Sequence, residues 1–260
     1  MPLYQTGSIK YFRFPSLENL GVYHAIFTRH GGFSPSPWKS LNFGASVGDD
    51  VERVYLNREK ALSTFNLDPL NVYDTYQVHS QEIVVTNRAL GKAEDHVKAD
   101  GIITNMPGLT LMMRFADCVP ILLVDPVQKA IGITHAGWIG TVNKITEIAV
   151  RKMIEYFGTD PRNITAAIGP SIGPDHYPVG DEVVDKVKVN FGEQAKQLIS
   201  YVDGKPHLDL WKANQLSLRE IGIVNVEVSG ICTACHLEDW YSHRGERGKT
   251  GRFGVIMGLE

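Results

Sequence analysis

The sequence predicts an α/β fold close to an α+β sandwich, with mixed, largely antiparallel β-sheets packed between outer helices. Three observations carry this. Apolar runs of strand length recur along most of the chain, and many have connections too short for a parallel crossover. Helical periodicity is confined to a few longer segments. The 25 glycines and 13 prolines are scattered rather than clustered, as turns between short strands require. No repeat or low-complexity tract divides the chain, so residues 1–260 are expected to form one domain.

The elements follow in order. "GVYHAIFT" (21–28) reads as a strand and "RHGGFSPSPWKSLNFGASVG" (29–48) as a loop rich in Gly, Ser and Pro. Asp49 or Asp50 then caps a helix running to about Phe65. "NVYDTYQV" (71–78) and "EIVVT" (82–86) are strands on either side of "HSQ". "DGIITN" (100–105) and "LTLMMR" (109–114) are two more, joined by "MPG". "VPILLVD" (119–125) and "KAIGITH" (129–135) come next. Val142, Ile145, Ile148, Ala149 and Met153 recur at helical spacing within a helix over 138–158, which Gly158 ends. "NITAAIG" (163–169) is a strand that runs into the rigid "GPSIGP". Helices are expected at about 181–199 and 208–221, the second capped by Asp209. "VNVEVSG" (224–230) and "RFGVIMG" (252–258) complete the sheets.

Composition narrows the function classes. A net charge of −3 leaves no basic footprint for nucleic acid. No apolar run reaches the ~20 residues of a membrane span. "MPLYQTGSIKYFRFPSL" lacks the apolar core of a signal peptide, and three cysteines do not make a disulfide framework. The expectation is a cytoplasmic protein that handles small molecules, with no nucleic-acid or membrane partner. The oligomeric state is left open, a monomer being compatible.

The chemistry begins at "FADCVPILLVD". If 119–125 and 129–135 form a hairpin with Pro126 at the second position of a turn over Asp125 to Gln128, Val124 faces Lys129 and Pro120 faces Ile133. The next pair outward is Cys118 opposite His135, with Cβ atoms about 5 Å apart on one face. His79, at the break in "YQVHSQE", is a third polar candidate. Two imidazoles and a thiolate make a three-ligand set for zinc with one position left for water or substrate. From spacing alone this signal is weak, since most histidines near cysteines are not ligands, and the plainer reading is a buried thiol with a histidine bonded to backbone. The spacing also fits a Cys–His nucleophile and base, as in a thiol hydrolase.

Other motifs compete. "CTACH" (232–236) matches the haem-attachment pattern, but that chemistry needs an export route, and no thioredoxin-like unit surrounds a dithiol Cys232–Cys235. The segment reads as a structural loop approaching the site. "HGG" and "GPSIGP" lack the spacing of a Walker loop or a dinucleotide fingerprint. Arg29, Arg244 and Arg252 stand beside glycine or serine. Such arginines are usually solvated surface charges, and are also the side chains best suited to clamp phosphate.

"FTRHGGFS", "SLNFGASVGDD", "QVHS", "ADG", "ADCVPILLVDP", "HAGWIGT", "IGPSIGP", "HLDLW" and "SHRGERGKTGR", in this order, resemble the YfiH/YlmD family. Its members have been called laccase-like polyphenol oxidases and later purine nucleoside phosphorylases. The resemblance runs from about residue 20 onward. It implies one zinc per chain on His79, Cys118 and His135, with copper as a possible substitute. It implies phosphorolysis of adenosine, inosine and S-methyl-5′-thioadenosine to base and sugar 1-phosphate, with some adenosine deamination. Arg29, Arg244 and Arg252 become candidates for phosphate or ribose contact, Ser242 and His243 for hydrogen bonds, and Asp117 for orienting a ligand or moving a proton. Asp117 equally fits a carboxylate that caps the strand entrance. The chain departs from the family at Ile139 and Gly245, where arginines are usual, and at Pro178, where a glutamate is usual. The scattered histidines form no His-x-His pair of the kind multicopper oxidases use.

Overall fold

A computed structural model describes residues 3–91 and 95–260. The strands are β1 (Tyr4–Thr6), β2 (Ile9–Phe12), β3 (Val22–Phe27), β4 (Val72–Asp74), β5 (Ile83–Val85), β6 (Gly101–Thr104), β7 (Thr110–Phe115), β8 (Val119–Asp125), β9 (Ala130–Ala136), β10 (Thr165–Ile168), β11 (Ile199–Val202), β12 (Lys205–Leu208), β13 (Asn225–Val228) and β14 (Phe253–Leu259). The helices are α1 (Val51–Ser63), α2 (Trp138–Val142), α3 (Ile145–Phe157), α4 (Asp181–Phe191) and α5 (Leu210–Glu220).

Two six-stranded sheets form the sandwich, in the orders β1-β2-β3-β14-β7-β4 and β13-β10-β8-β9-β6-β5, with β11 and β12 as a separate hairpin. The pairs β4–β7, β5–β6 and β10–β13 are parallel and the other pairs antiparallel. This is the mixed, mainly antiparallel architecture expected.

Alternation along the strands explains the layers. Leu122, Val124, Ile131 and Ile133 meet Leu111, Met113, Val255 and Met257 between the sheets. Ile121, Leu123 and Ile103 face outward onto Ala149 and Met153 of α3, Val187 of α4 and Ala213 of α5. On the far side, Ala25, Met112 and Ile256 pack on Ala61 and Leu62 of α1. No helix among the described residues is long and apolar enough to cross a membrane.

Several expectations change in detail. In the β8–β9 hairpin, His135 pairs with Pro120 rather than with Cys118, and Val124 with Ile131 rather than with Lys129. The turn is longer than expected because Asp125 Oδ1 accepts the Val127 and Gln128 N–H groups and Lys129 turns left-handed at φ 48°. A two-residue shift preserves the facing of side chains, so Cys118 still ends up beside His135. The helix over 138–158 breaks into α2 and α3 at left-handed Lys144, φ 57°. The helix over 181–199 stops at Phe191 before Gly192, and residues 199–202 belong to a hairpin turned by Asp203-Gly204, both with positive φ. The strand over 71–78 is regular only to Asp74, where the chain leaves the first sheet for the second. Strands β1 and β2 lie outside the predicted set.

These crossings place the site. His79 lies between β4 of the first sheet and β5 of the second, and residues 116–118 link β7 to β8 across the same gap.

Candidate metal centre and its cavity

His79, Cys118 and His135 converge, their donor atoms all within 4.8 Å of one another. His79 Nε2 is 3.7 Å from Cys118 Sγ. A tetrahedral zinc with ordinary Zn–N and Zn–S bonds separates such a pair by ~3.6 Å. His135 is buried, Cys118 half-buried and His79 exposed, so the trio sits at a cavity floor with one open side.

Asp100 selects the ring nitrogen that His135 presents. Its Oδ1 lies 2.8 Å from His135 Nδ1, and its Oδ2 accepts from the Val78 and Ser80 N–H groups and the Ser80 hydroxyl. Burial opposes the Asp100 charge, but the bonds from His135 and Ser80 hold its carboxyl down at about 2. An ionised carboxylate only accepts, so His135 Nδ1 carries the proton and Nε2 keeps its lone pair for a cation. Cys118 behaves similarly. Burial raises its thiol, yet the neighbouring His135 and His79 rings outweigh this and pull it below the ordinary thiol value. Burial alone would lower His135; the Cys118 thiolate and Asp100 raise it instead.

One member of the trio and one neighbour are strained. His79 at φ 58° and Asp117 at φ 79° both occupy left-handed backbone, sparsely populated outside glycine. Asp117 is fixed on every side: Oδ1 accepts from Thr233 Oγ1 at 2.7 Å, Oδ2 from Arg244 N at 2.6 Å, and its carbonyl from Ile172 N. Gly137 closes the floor. A Cβ there would sit 3.0 Å from both Cys118 Sγ and His79 Cδ2.

A cavity of about 260 Å³ opens on the trio, walled by Trp138 and Tyr177 and also lined by Asp117, His243, Arg244 and Arg252. A second, of about 290 Å³, shares His79, Arg114, His135 and Arg252 and continues to Arg58 and His96. Arg58, Arg114 and His96 all pair with Asp74. Arg252 forms no ion pair among the described residues; it interacts electrostatically with Cys118 and Asp117 and donates to the Gly251 carbonyl. Arg244 lies 5.1 Å over the Tyr177 ring and donates to the Pro178 carbonyl, again with no ion pair among the described residues.

Thus His79, Cys118, His135, Asp117, His243, Arg244 and Arg252 share one cavity, while Arg29 and Ser242 do not line it. Arg29 donates to the Lys39 and Leu237 carbonyls and to Glu246, and stacks 4.6 Å from the Tyr241 ring. Its guanidinium is used up in joining loops beside a separate cleft. Ser242 is buried and its hydroxyl accepts from Gly245 N, closing a turn. The sequence reading assigns no role to Asp100, Arg114, Trp138 or Tyr177. Asp100 and Trp138 stand in the motifs "ADG" and "HAGWIGT", and Arg114 is a charge closing the apolar run "LTLMMR".

Residues 23–260 match the family model described as multi-copper polyphenol oxidoreductase laccase. A Bacillus subtilis protein named purine nucleoside phosphorylase YlmD is 38% identical over 254 residues, covering 94% of this chain and 90% of its own. A Deinococcus radiodurans protein named purine nucleoside phosphorylase is 35% identical, covering 93% and 90%. The crystal structure of Bacillus licheniformis hypothetical protein YfiH superposes with a TM-score of 0.92 at 34% identity, covering 100% of this chain and 99% of that one.

Proposed function

The chain belongs to the family described as multi-copper polyphenol oxidoreductase laccase, and from that premise we propose that it is a zinc-dependent purine nucleoside phosphorylase. Its substrates are adenosine, inosine and S-methyl-5′-thioadenosine, and it deaminates adenosine as a side activity. The names of the Bacillus subtilis and Deinococcus radiodurans relatives support the reaction class. The observation that carries the reading is the pairing, in one cavity, of a three-donor cation site with two guanidiniums, Arg244 and Arg252, that form no ion pair among the described residues.

His79, Cys118 and His135 hold the zinc, and the donor set fits it: one thiolate, two imidazoles, and a carboxylate behind one of the rings. When bound, zinc supplies a Lewis acid with one open coordination position, and copper, with higher affinity for most such sets, is its competitor. The side chains do the remaining work. Trp138 and Tyr177 grip the planar base. Arg252 and Arg244 hold phosphate as the dianion that attacks the sugar, while the bond from sugar carbon to purine nitrogen breaks and the base leaves with the electron pair and takes up a proton. His243 lines the same cavity and offers a hydrogen bond to substrate. Asp117, with both oxygens already accepting, acts by fixing the Arg244 backbone.

The test is chromatography of the products of adenosine, with and without inorganic phosphate, on metal-analysed protein. Phosphate-dependent adenine and ribose 1-phosphate support the reading. Equal adenine release without phosphate, or oxidation of a phenol with no nucleoside turnover, overturns it.

A further inference from the structure

Away from that cavity, the turn "GPDH" and the segment "CTAC" come together. Ser171 and Cys232 form a parallel bridge, with Ser171 N donating to Ile231 O and Thr233 N to Ser171 O. Single donor atoms of Asp175, His176, Cys232 and Cys235 all lie within 4.8 Å of one another as a result. His176 Nδ1 is the hub, 3.9 Å from Cys232 Sγ, 3.5 Å from Cys235 Sγ and 3.0 Å from Asp175 Oδ2.

We infer that these four residues form a second metal centre, a closed tetrahedral site for zinc or a similar borderline-soft divalent ion. Ordinary zinc bond lengths put tetrahedral N–S edges at ~3.6 Å and N–O edges at ~3.3 Å, close to the spacings found. Two sulfurs and an imidazole select zinc over the oxygen-seeking magnesium and calcium. Four protein donors leave no position open, so the role is structural. The backbone is shaped for a thiolate: Gly173 N donates to Cys232 Sγ at 3.2 Å. A Cβ at Gly173 would lie 3.2 Å from Cys232 Cβ and 3.3 Å from its Sγ, so the turn packs closely on this cysteine. Binding displaces the two thiol protons to solvent and changes no oxidation state.

The position gives the ion its effect. His176 precedes Tyr177, whose ring lies under Arg244, and Pro178, whose carbonyl Arg244 bonds. Thr233 lies between the two cysteines and bonds Asp117. An ion here ties together two walls of the first cavity without touching its contents. The inference is independent of the phosphorylase reading, since it concerns ligands and not turnover.

The experiment uses the full chain. The first donor set is removed by His79→Ala with Cys118→Ser, and the chelator-treated protein is titrated with Co²⁺. The expected result is about one Co²⁺ per chain with the sulfur-to-cobalt absorption of two thiolates, both lost when Cys235→Ser is added. In the otherwise unchanged protein, Cys235→Ser should remove about one equivalent of bound zinc and lower the melting temperature, and zinc should shield Cys232 and Cys235 from iodoacetamide until chelator is added. Cys235 is exposed, so its serine variant retains its packing. Unchanged zinc content in folded Cys235→Ser protein, no Co²⁺ uptake by the folded double variant, or recovery of Cys232 and Cys235 as a disulfide without metal would each overturn the inference.

Discussion

Asp100 Oδ1 stands 2.8 Å from His135 Nδ1, with both side chains shut away from solvent. Because the same carboxylate also takes three hydrogen bonds from Val78 and Ser80, it locks the loop bearing His79 to the ring of His135.

Asp100→Asn should therefore weaken zinc binding by about 10- to 100-fold while the chain stays folded. The amide keeps one acceptor, but its NH₂ group faces either His135 or the donors of Val78 and Ser80. Competition with a chelator of known affinity measures the loss, and unchanged affinity would show that Asp100 does not orient the ring.

Cys118 of metal-free protein should alkylate with iodoacetamide at pH 7 ahead of the more exposed Cys235. Burial followed by Cys232, Asp175 and Glu238 pushes the Cys235 thiol up to about 11, whereas the His135 and His79 rings overcome the burial of Cys118 and bring it to about 6. The thiolate is the reactive form. The folded value is depressed, so Cys118 labelling should persist as pH falls from 9 to 7 and fade as it passes through about 6. Peptide mapping across that range checks the order; Cys235 labelling first would count against a paired Cys118.

Arg252→Ala and Arg244→Ala should each raise the KM for phosphate about 10- to 100-fold, the worth of one charged hydrogen bond. Zinc content should hold steady. Arg252→Lys should recover only part of the loss, since an ammonium cannot make the paired contact of a guanidinium. Initial rates over a phosphate series give the result, and an unaltered KM in both alanine variants would remove these residues from the phosphate site.

Gly137→Ala should lower zinc affinity with little change in melting temperature. The backbone there has φ −66°, which alanine adopts freely, so the only conflict is the new methyl against Cys118 and His79. Calorimetric zinc titration of the folded variant tests this, wild-type affinity being the adverse outcome.

Periodicity makes the strands and layers legible, because a buried face must alternate. The meeting of Cys118 and His135 is legible for the same reason, even through a hairpin register displaced by two residues, since an even shift keeps the face. The displaced turn hides in Asp125, whose carboxylate competes for backbone N–H groups, and in Lys129, an ordinary residue in left-handed backbone. Asp203-Gly204 carries a hairpin signal that the surrounding helical pattern masks. Asp100 and Tyr177 gain meaning only from what lies across the fold from them, and no local spacing encodes that. Arg29 and Ser242 show the converse: their motifs stand out, yet both side chains are spent on holding loops together.

Strand β14 lies between β3 and β7, which are both made much earlier in the chain. On the ribosome those two strands must wait with bare edges, and the first sheet stays split until β14 emerges and zips it shut. Arg252 immediately precedes β14 and arrives with it. A growing chain therefore carries His79, Cys118 and His135 well before Arg252, and the cavity wall that Arg252 supplies is laid only when β14 joins the sheet.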